Sequence, residues 1–212
     1  IKSCAINAGA DLAGIAVCEP LRDEAADLSQ WLGSHFHGTM SWMGDYIEQR
    51  NDPSLLLDGC KSIISIAVNY YTPQLHLRFP NFPRISRYAW GRDYHRLFKK
   101  KLVRLGRWLA ESRPDCGWRA CVDTAPILER EWAARAGLGW IGKNTMLLNR
   151  NLGSELFLGL LLTDVELSPD RPVPEHGGTC TACLDDCPTG AFPEPRILDA
   201  RRCIGYLTVE HR

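Results

Sequence analysis

The chain is 212 residues long, enough for one domain of ordinary size or for one domain with a small appendage. Its 45% hydrophobic and 24% charged residues are those of a soluble globular protein and exclude collagen-like, low-complexity and disordered classes. The 25 basic and 25 acidic side chains cancel, so the net field argues for neither nucleic acid nor a membrane surface, and any such partner must be met by a local patch.

The longest apolar stretches, such as Leu156 to Leu162, fall far short of the roughly 20 residues a membrane span needs, and no membrane partner is expected. Nine cysteines are an odd number, and Cys180, Cys183, Cys187 and Cys203 crowd into 24 residues. That distribution suits a metal site in a reducing compartment better than a disulfide framework. With no signal peptide visible, the cytoplasm is the expected location. Both ends read as cut, since Ile1 lies inside a helical pattern and Ile204 to Arg212 stop without a polar tail; a piece of a longer protein is expected.

In chain order, a helix stops at Gly9, and Leu12 to Val17 and Ser62 to Val68 are short, apolar, partly β-branched runs that read as buried strands with helical sequence between them. Ser86 to His95 packs three aromatics and two arginines into ten residues. In the helix that follows, near 93–112, Arg96, Lys100, Arg104 and Arg107 form one basic face and Phe98, Leu102, Leu105 and Leu109 the opposite buried stripe. Such a face is commonly just solvated, but cations beside exposed aromatics also suit an RNA loop. Further strands are expected at Arg119 to Val122 and Glu155 to Leu162, with a helix near 126–136. Asp123 sits at a strand end ahead of Thr124-Ala125-Pro126, placed either to cap that helix or to act in a site.

Gly137 to Gly142 matches G-x-G-x-x-G, and Gly137 to Asn144 comes close to a P-loop. The first follows a helix where a strand is needed, and the second lacks Ser or Thr after Lys143. A helix C-cap at Gly137 followed by a tight loop is the expectation. A Pro-rich linker, Ser168 to Glu175, then separates a mixed α/β or α+β domain from the cysteine cluster.

Cys180 to Pro188 contains C-x2-C-x3-C-P, the last three cysteines of a bacterial ferredoxin run, with Gly177 where the first Cys would stand. In the two-cluster arrangement the last Cys of the run serves the other cluster, so Cys187 would pair with Cys203. A Cys4 zinc knuckle built from the same residues is the alternative.

Ser86 to His95, Val122 to Arg130, Gly137 to Thr145, Cys180 to Pro188 and Leu198 to Thr208 together resemble the tRNA epoxyqueuosine reductase family, which is related to reductive dehalogenases. The resemblance implies an α+β fold in which a nitroreductase-like cobalamin-binding domain, residues 1–168, precedes a ferredoxin-like iron-sulfur domain, residues 169–212, incomplete at its C-terminus. It also implies Asp123 as proton donor, in a desolvated pocket with its pKa raised. Arg50, Ser86, Tyr94, Asp123, Leu147, Asn149 and Leu158 would then lie against the corrin. Of two [4Fe-4S] clusters, one would take Cys180 and Cys183 and the other Cys187 and Cys203. The expected partners are the epoxyqueuosine-bearing anticodon loop of a tRNA and an external electron donor, with the protein a monomer. Rival readings are a reductive dehalogenase, a non-catalytic iron-sulfur electron carrier and a structural zinc module that binds RNA.

Overall fold

A computed structural model of the chain describes residues 1–74 and 83–211. Four strands, β1 (Leu12–Val17), β2 (Ser62–Asn69), β3 (Trp118–Cys121) and β6 (Leu156–Thr163), form one sheet in the order β1-β2-β6-β3. Every neighbouring pair is antiparallel, with Ile64 opposite both Ile15 and Leu161, and Cys121 opposite Leu160.

The strands are continuous apolar runs because both faces of the sheet are covered. Ile63, Ala67, Leu160, Leu162 and Cys121 point to one side, where they pack with Trp132, Ala133 and Ala136 of helix α5 (Glu129–Arg135). Ile15, Ile64, Ile66 and Leu161 point to the other and meet Phe98, Leu102 and Leu105 of helix α4 (Tyr94–Ser112), with Ala5 of α1 (Lys2–Asn7) beside them. Each fully buried Ile or Leu in these layers is worth about 1.5–3 kcal/mol of transfer free energy. Helices α2 (Arg22–Gly33) and α3 (Ile47–Asn51) fill the connection between β1 and β2. Where α4 meets β3, the buried Gly106 lies against the indole of Trp118, where a Cβ would collide with the ring.

The helix expected from Pro126 begins at Glu129. Thr124, Ile127 and Glu129 spend their N–H groups on Val122, Ala125 and Ile127 two residues back, and these tight turns displace the helical ladder. The other end of α5 follows expectation. Gly137 takes φ +77, its N–H donates to Ala134 O at 3.0 Å, and Leu138 N–H reaches Ala133 O at 3.0 Å, a Schellman closure. The glycines after it belong to the small hairpin of β4 (Trp140–Ile141) and β5 (Leu147–Leu148), not to a phosphate loop.

The Pro-rich segment runs along the free edge of β1. Asp170 N donates to Ile15 O at 2.8 Å, and its carboxylate accepts from Ile15 N at 3.0 Å and from Lys2 Nζ at 2.6 Å. Beyond it come the short helix α6 (Ala182–Asp185) and a closing stretch docked on the first part of the chain. There Trp31 Nε1 donates to Leu198 O, Ala200 N to Phe36 O, and Thr39 N to the Tyr206 hydroxyl. Among the described residues no helix is long and apolar enough to cross a membrane.

Candidate active site

Because the sheet is antiparallel, the C-terminal ends of β2 and β3 and the N-terminal end of β6 meet at one edge. Tyr70, Asp123 and Phe157 sit there, and the first turn of α4 projects over them.

Asp123 follows β3 in a left-handed conformation, φ +49, which costs a non-glycine residue about 1 kcal/mol or more and persists only where its surroundings hold it. Two contacts do so. Its N–H donates to Glu129 Oε1 at 2.7 Å, and its Oδ2 lies 2.9 Å from His95 Nε2. The other ring nitrogen of His95 is 2.8 Å from Asp93 Oδ1. Asp93 also caps α4 by accepting from His95 N at 3.0 Å. One imidazole therefore bridges two carboxylates, and the Asp123 contact, followed by the Asp93 contact, raises its pKa above the usual histidine value. Asp93 in turn is lowered by its bond to His95.

Asp123 is not a helix cap, since α5 starts six residues later with Leu128 in the capping position. Nor is its side chain desolvated as expected: it is 52% exposed. Burial falls on Glu129 instead and pushes that carboxyl up to about 7, opposed by the Asp123 N–H bond and aided by the Asp123 charge.

Tyr94 is stacked between His95, centroids 4.0 Å apart, and Phe157, 4.2 Å apart at an interplanar angle of 10°. Tyr70 packs on Phe157 at 4.6 Å, completing an aromatic shelf. Burial, then the Asp123 charge, drives the Tyr94 phenol well up, so it remains a neutral hydroxyl. Arg87 ties the 86–90 segment to this end through Glu155 Oε1 at 2.9 Å and lies over Tyr71. Glu155 Oε2 and Trp140 Nε1 are buried without a partner among the described residues.

The remaining expected residues fall in several places. Ser86 is exposed ahead of the 3-10 turn Arg87–Ala89, and Leu158 lies on β6 beside Phe157. Leu147 is 2% exposed and its side chain belongs to the core. Asn149 spends its amide on Leu138 O and on the N–H groups of Asn151 and Leu152. Arg50 turns its guanidinium onto Asp45 O and Trp42 O, over the Trp42 ring. Sequence reasoning missed Glu129 and the specific role of His95. Asp93 as a helix cap two residues ahead of His95 was the one local signal.

All four clustered cysteines are free thiols, Cys180 exposed and Cys183, Cys187 and Cys203 partly buried. Among the described residues no three His, Cys, Asp or Glu side chains converge as a metal site. Cys187 Sγ accepts from Ala191 N at 3.3 Å and lies 3.6 Å from Thr189 Oγ1, and these bonds lower its pKa. Lys143, the lysine of the P-loop-like run, donates instead to Gly178 O at 2.7 Å and Cys180 O at 2.9 Å, and its own carbonyl accepts from Arg196 N.

A family model described as epoxyqueuosine reductase QueG, DUF1730, matches residues 50–124. A curated epoxyqueuosine reductase of Synechococcus sp. strain RCC307 is 46% identical over all of this chain and 66% of its own length. One from Synechocystis sp. is 48% identical over 94% of this chain and 69% of its own. A crystal structure of epoxyqueuosine reductase with an epoxyqueuosine-modified tRNA-Tyr stem loop superposes with a TM-score of 0.85 at 33% identity, covering 97% of this chain and 55% of that one. The chain thus spans roughly two thirds or less of the length of these proteins.

Proposed function

Because the chain belongs to the epoxyqueuosine reductase family, we propose that it takes part in reducing epoxyqueuosine to queuosine in the anticodon loop of a tRNA. The observation that carries this reading is the Asp93–His95–Asp123 chain at the sheet end, backed by Glu129. Removing an epoxide oxygen as water consumes two electrons and two protons, so the site must keep an acid within reach of that oxygen. Asp123 is that acid, held by His95 on one side and by its own N–H on Glu129 on the other. His95, itself held by Asp93, stands next in line to return a proton to Asp123. Glu129, with a pKa near neutrality, is a further carboxyl able to hold a proton at working pH.

The aromatic shelf of Tyr70, Phe157 and Tyr94, with the unpartnered Glu155 Oε2 one residue before β6, fits a large flat ring edged with carboxamides, as in cobalamin. When bound, cobalamin supplies a strongly reducing cobalt centre fed one electron at a time by iron-sulfur clusters. Tyr94, Leu158 and Ser86 would meet the corrin with their side chains. Arg50, Leu147 and Asn149, whose side chains are occupied, would meet it with backbone.

Cys180 and Cys183 would ligate one [4Fe-4S] cluster, and Cys187 and Cys203 the second. The N–H···S bond at Cys187 favours the thiolate a cluster requires. In this reading residues 1–168 are the nitroreductase-like cobalamin domain and 169–212 the ferredoxin-like segment. The protein works as a cytoplasmic monomer fed by an external electron donor.

The test is mass spectrometry of nucleosides from epoxyqueuosine-containing tRNA after incubation with the cobalamin-loaded, cluster-loaded enzyme and a reductant. Queuosine should appear in step with enzyme and reductant. Unchanged epoxyqueuosine with a fully loaded enzyme would sink the reading.

A further inference from the structure

Helix α4 starts at the Asp123 site and leads away from it. Its buried stripe, Phe98, Leu102, Leu105 and Leu109, faces the sheet side. On the opposite face stand Arg96, Lys100, Arg104 and Arg107, all exposed, spread over about 16 Å at a rise of about 1.5 Å per residue. Lys99 is exposed on the flank and Arg92 in the turn before the helix, while the helix carries a single acid, Glu111, near its end.

Several cations elsewhere are engaged, Lys2 with Asp170, Arg87 with Glu155, Arg135 with Glu19 and Glu24, Arg196 with Glu175, and exposed ones outside these pairs, such as Arg22 and Lys61, belong to separate segments. On α4 the unpaired cations form a row. Among the described residues Lys99, Lys100, Arg104 and Arg107 have no ion-pair partner, and Arg96 only approaches Asp93 at 3.7 Å with its side chain 87% exposed. Like charges one turn apart destabilise a helix by a few tenths of a kcal/mol per pair. In a chain whose charges balance, this helix carries a cationic ridge against its own stability.

We propose that this ridge is the docking track for the phosphodiester backbone of the RNA stem whose loop enters the Asp123 site. The inference rests on the tRNA-substrate reading above. Continuity favours RNA: Arg87, Tyr88 and Arg92 connect the site to the ridge, so a nucleic acid seated in the site passes along α4. Surface chemistry favours it too. Only Leu97 and Trp108 are exposed apolar residues on the helix, too few for the desolvated apolar centre of a protein interface, whereas a row of cations with occasional planar groups is what a nucleic-acid strand takes.

The test is the binding of a labelled anticodon stem-loop RNA to the holoenzyme by fluorescence anisotropy over a range of salt. Lys100→Gln/Arg104→Gln/Arg107→Gln should flatten the slope of log affinity against log salt by about two to three. Affinity near 0.1 M salt should fall roughly 10²-fold. Arg22→Gln/Lys61→Gln, on exposed cations of other elements, should leave both unchanged, and thermal melts should show all the proteins folded.

A triple variant with wild-type slope and affinity overturns the proposal. If it also turns over slowly with a protein reductant but normally with a chemical one, the ridge belongs to an acidic electron donor. Failure of the function reading looks different, because a holoenzyme that makes no queuosine yet loses its salt slope in the triple variant still upholds the track. A wild-type holoenzyme with no affinity for the RNA ends both.

Discussion

At the Asp123 end of the sheet the polar groups are held by other parts of the fold, whereas in the cysteine segment the thiols stand free on short turns. His95, Asp93, Glu129 and Tyr94 come from two helices on opposite faces of the sheet, and their contacts exist without any ligand. Cys180, Cys183, Cys187 and Cys203 come from one stretch of chain, and among the described residues no three ligating side chains meet. The first site is built by packing alone. On the proposed ligand assignment the second would depend on metal to draw its cysteines together, so that binding and local folding would be one free-energy change.

The largest expected effect breaks the preformed site. Asp123→Asn keeps the shape and the hydrogen-bonding capacity but cannot donate a carboxylic proton, so single-turnover conversion of epoxyqueuosine in tRNA should drop roughly 10²-fold or more. The melting temperature should stay close to wild type. Turnover like wild type would remove Asp123 from the chemistry.

The cysteine side is sharpened by iron analysis. With four clustered cysteines and Gly177 where a ferredoxin run has its first, this chain reconstituted with iron and sulfide should fall well short of the roughly eight irons of two [4Fe-4S] clusters. Eight irons per chain would show the ligand assignment to be wrong.

Next in size is the pH dependence of stability. Glu129 has a folded pKa of about 7 against 4.5 as its ordinary value, so between these values the folded state holds a proton that the unfolded state has released. Stability therefore falls as pH rises through that window, by at most about 3 kcal/mol at about 1.4 kcal/mol per pH unit. His95, raised above the usual 6.5, acts in the same direction: its contribution is complete below 6.5 and is lost as pH rises through its folded value. Denaturant titrations from pH 5 to 8 should show the decline in wild type and a flatter curve in Glu129→Gln, which keeps the Oε1 acceptor. Equal slopes would mean that Glu129 is not protonated in the folded protein.

The smallest effect concerns the histidine itself. In imidazole nitrogen NMR, His95 should titrate above the ordinary value, and Asp123→Asn should bring it back towards 6.5. An exposed pair of this kind changes global stability by about 1 kcal/mol or less, so the resonance is the readout.

The sheet was readable from sequence because its strands are buried on both faces. Leu12–Val17 appears with the expected ends, and the runs at 62, 119 and 155 are displaced by no more than a residue or so. The stripe of α4 and the closure at Gly137 were equally plain, since 3.6-residue periodicity and a glycine after a helix are local signals. Less legible was whatever depends on a turn with unusual bonding. Pro126 suggested a helix start that the bonds from Thr124, Ile127 and Glu129 postpone, and the same turn sets Asp123 in the left-handed region and brings Glu129 under its N–H. No spacing rule places His95 of α4 against Asp123 after β3, because that meeting is made by the sheet between them. The family resemblance supplied Asp123 but not the residues that hold it.

The strand order has a consequence for synthesis. Among the described residues β3 pairs only with β6, and 34 residues lie between Cys121 and the start of that partner at Leu156. At about 5–20 residues per second, β3 waits on the order of 2–7 s after it is made before its partner begins to follow. During that interval Trp118 and Cys121 belong to an unpaired edge beside the apolar stripe of α4, while β1 and β2 can already zip together. A translational pause once Cys121 has left the ribosome would prolong the exposure of that edge to chaperones and to other nascent chains; the same pause once Thr163 has emerged would find all four strands free to pair.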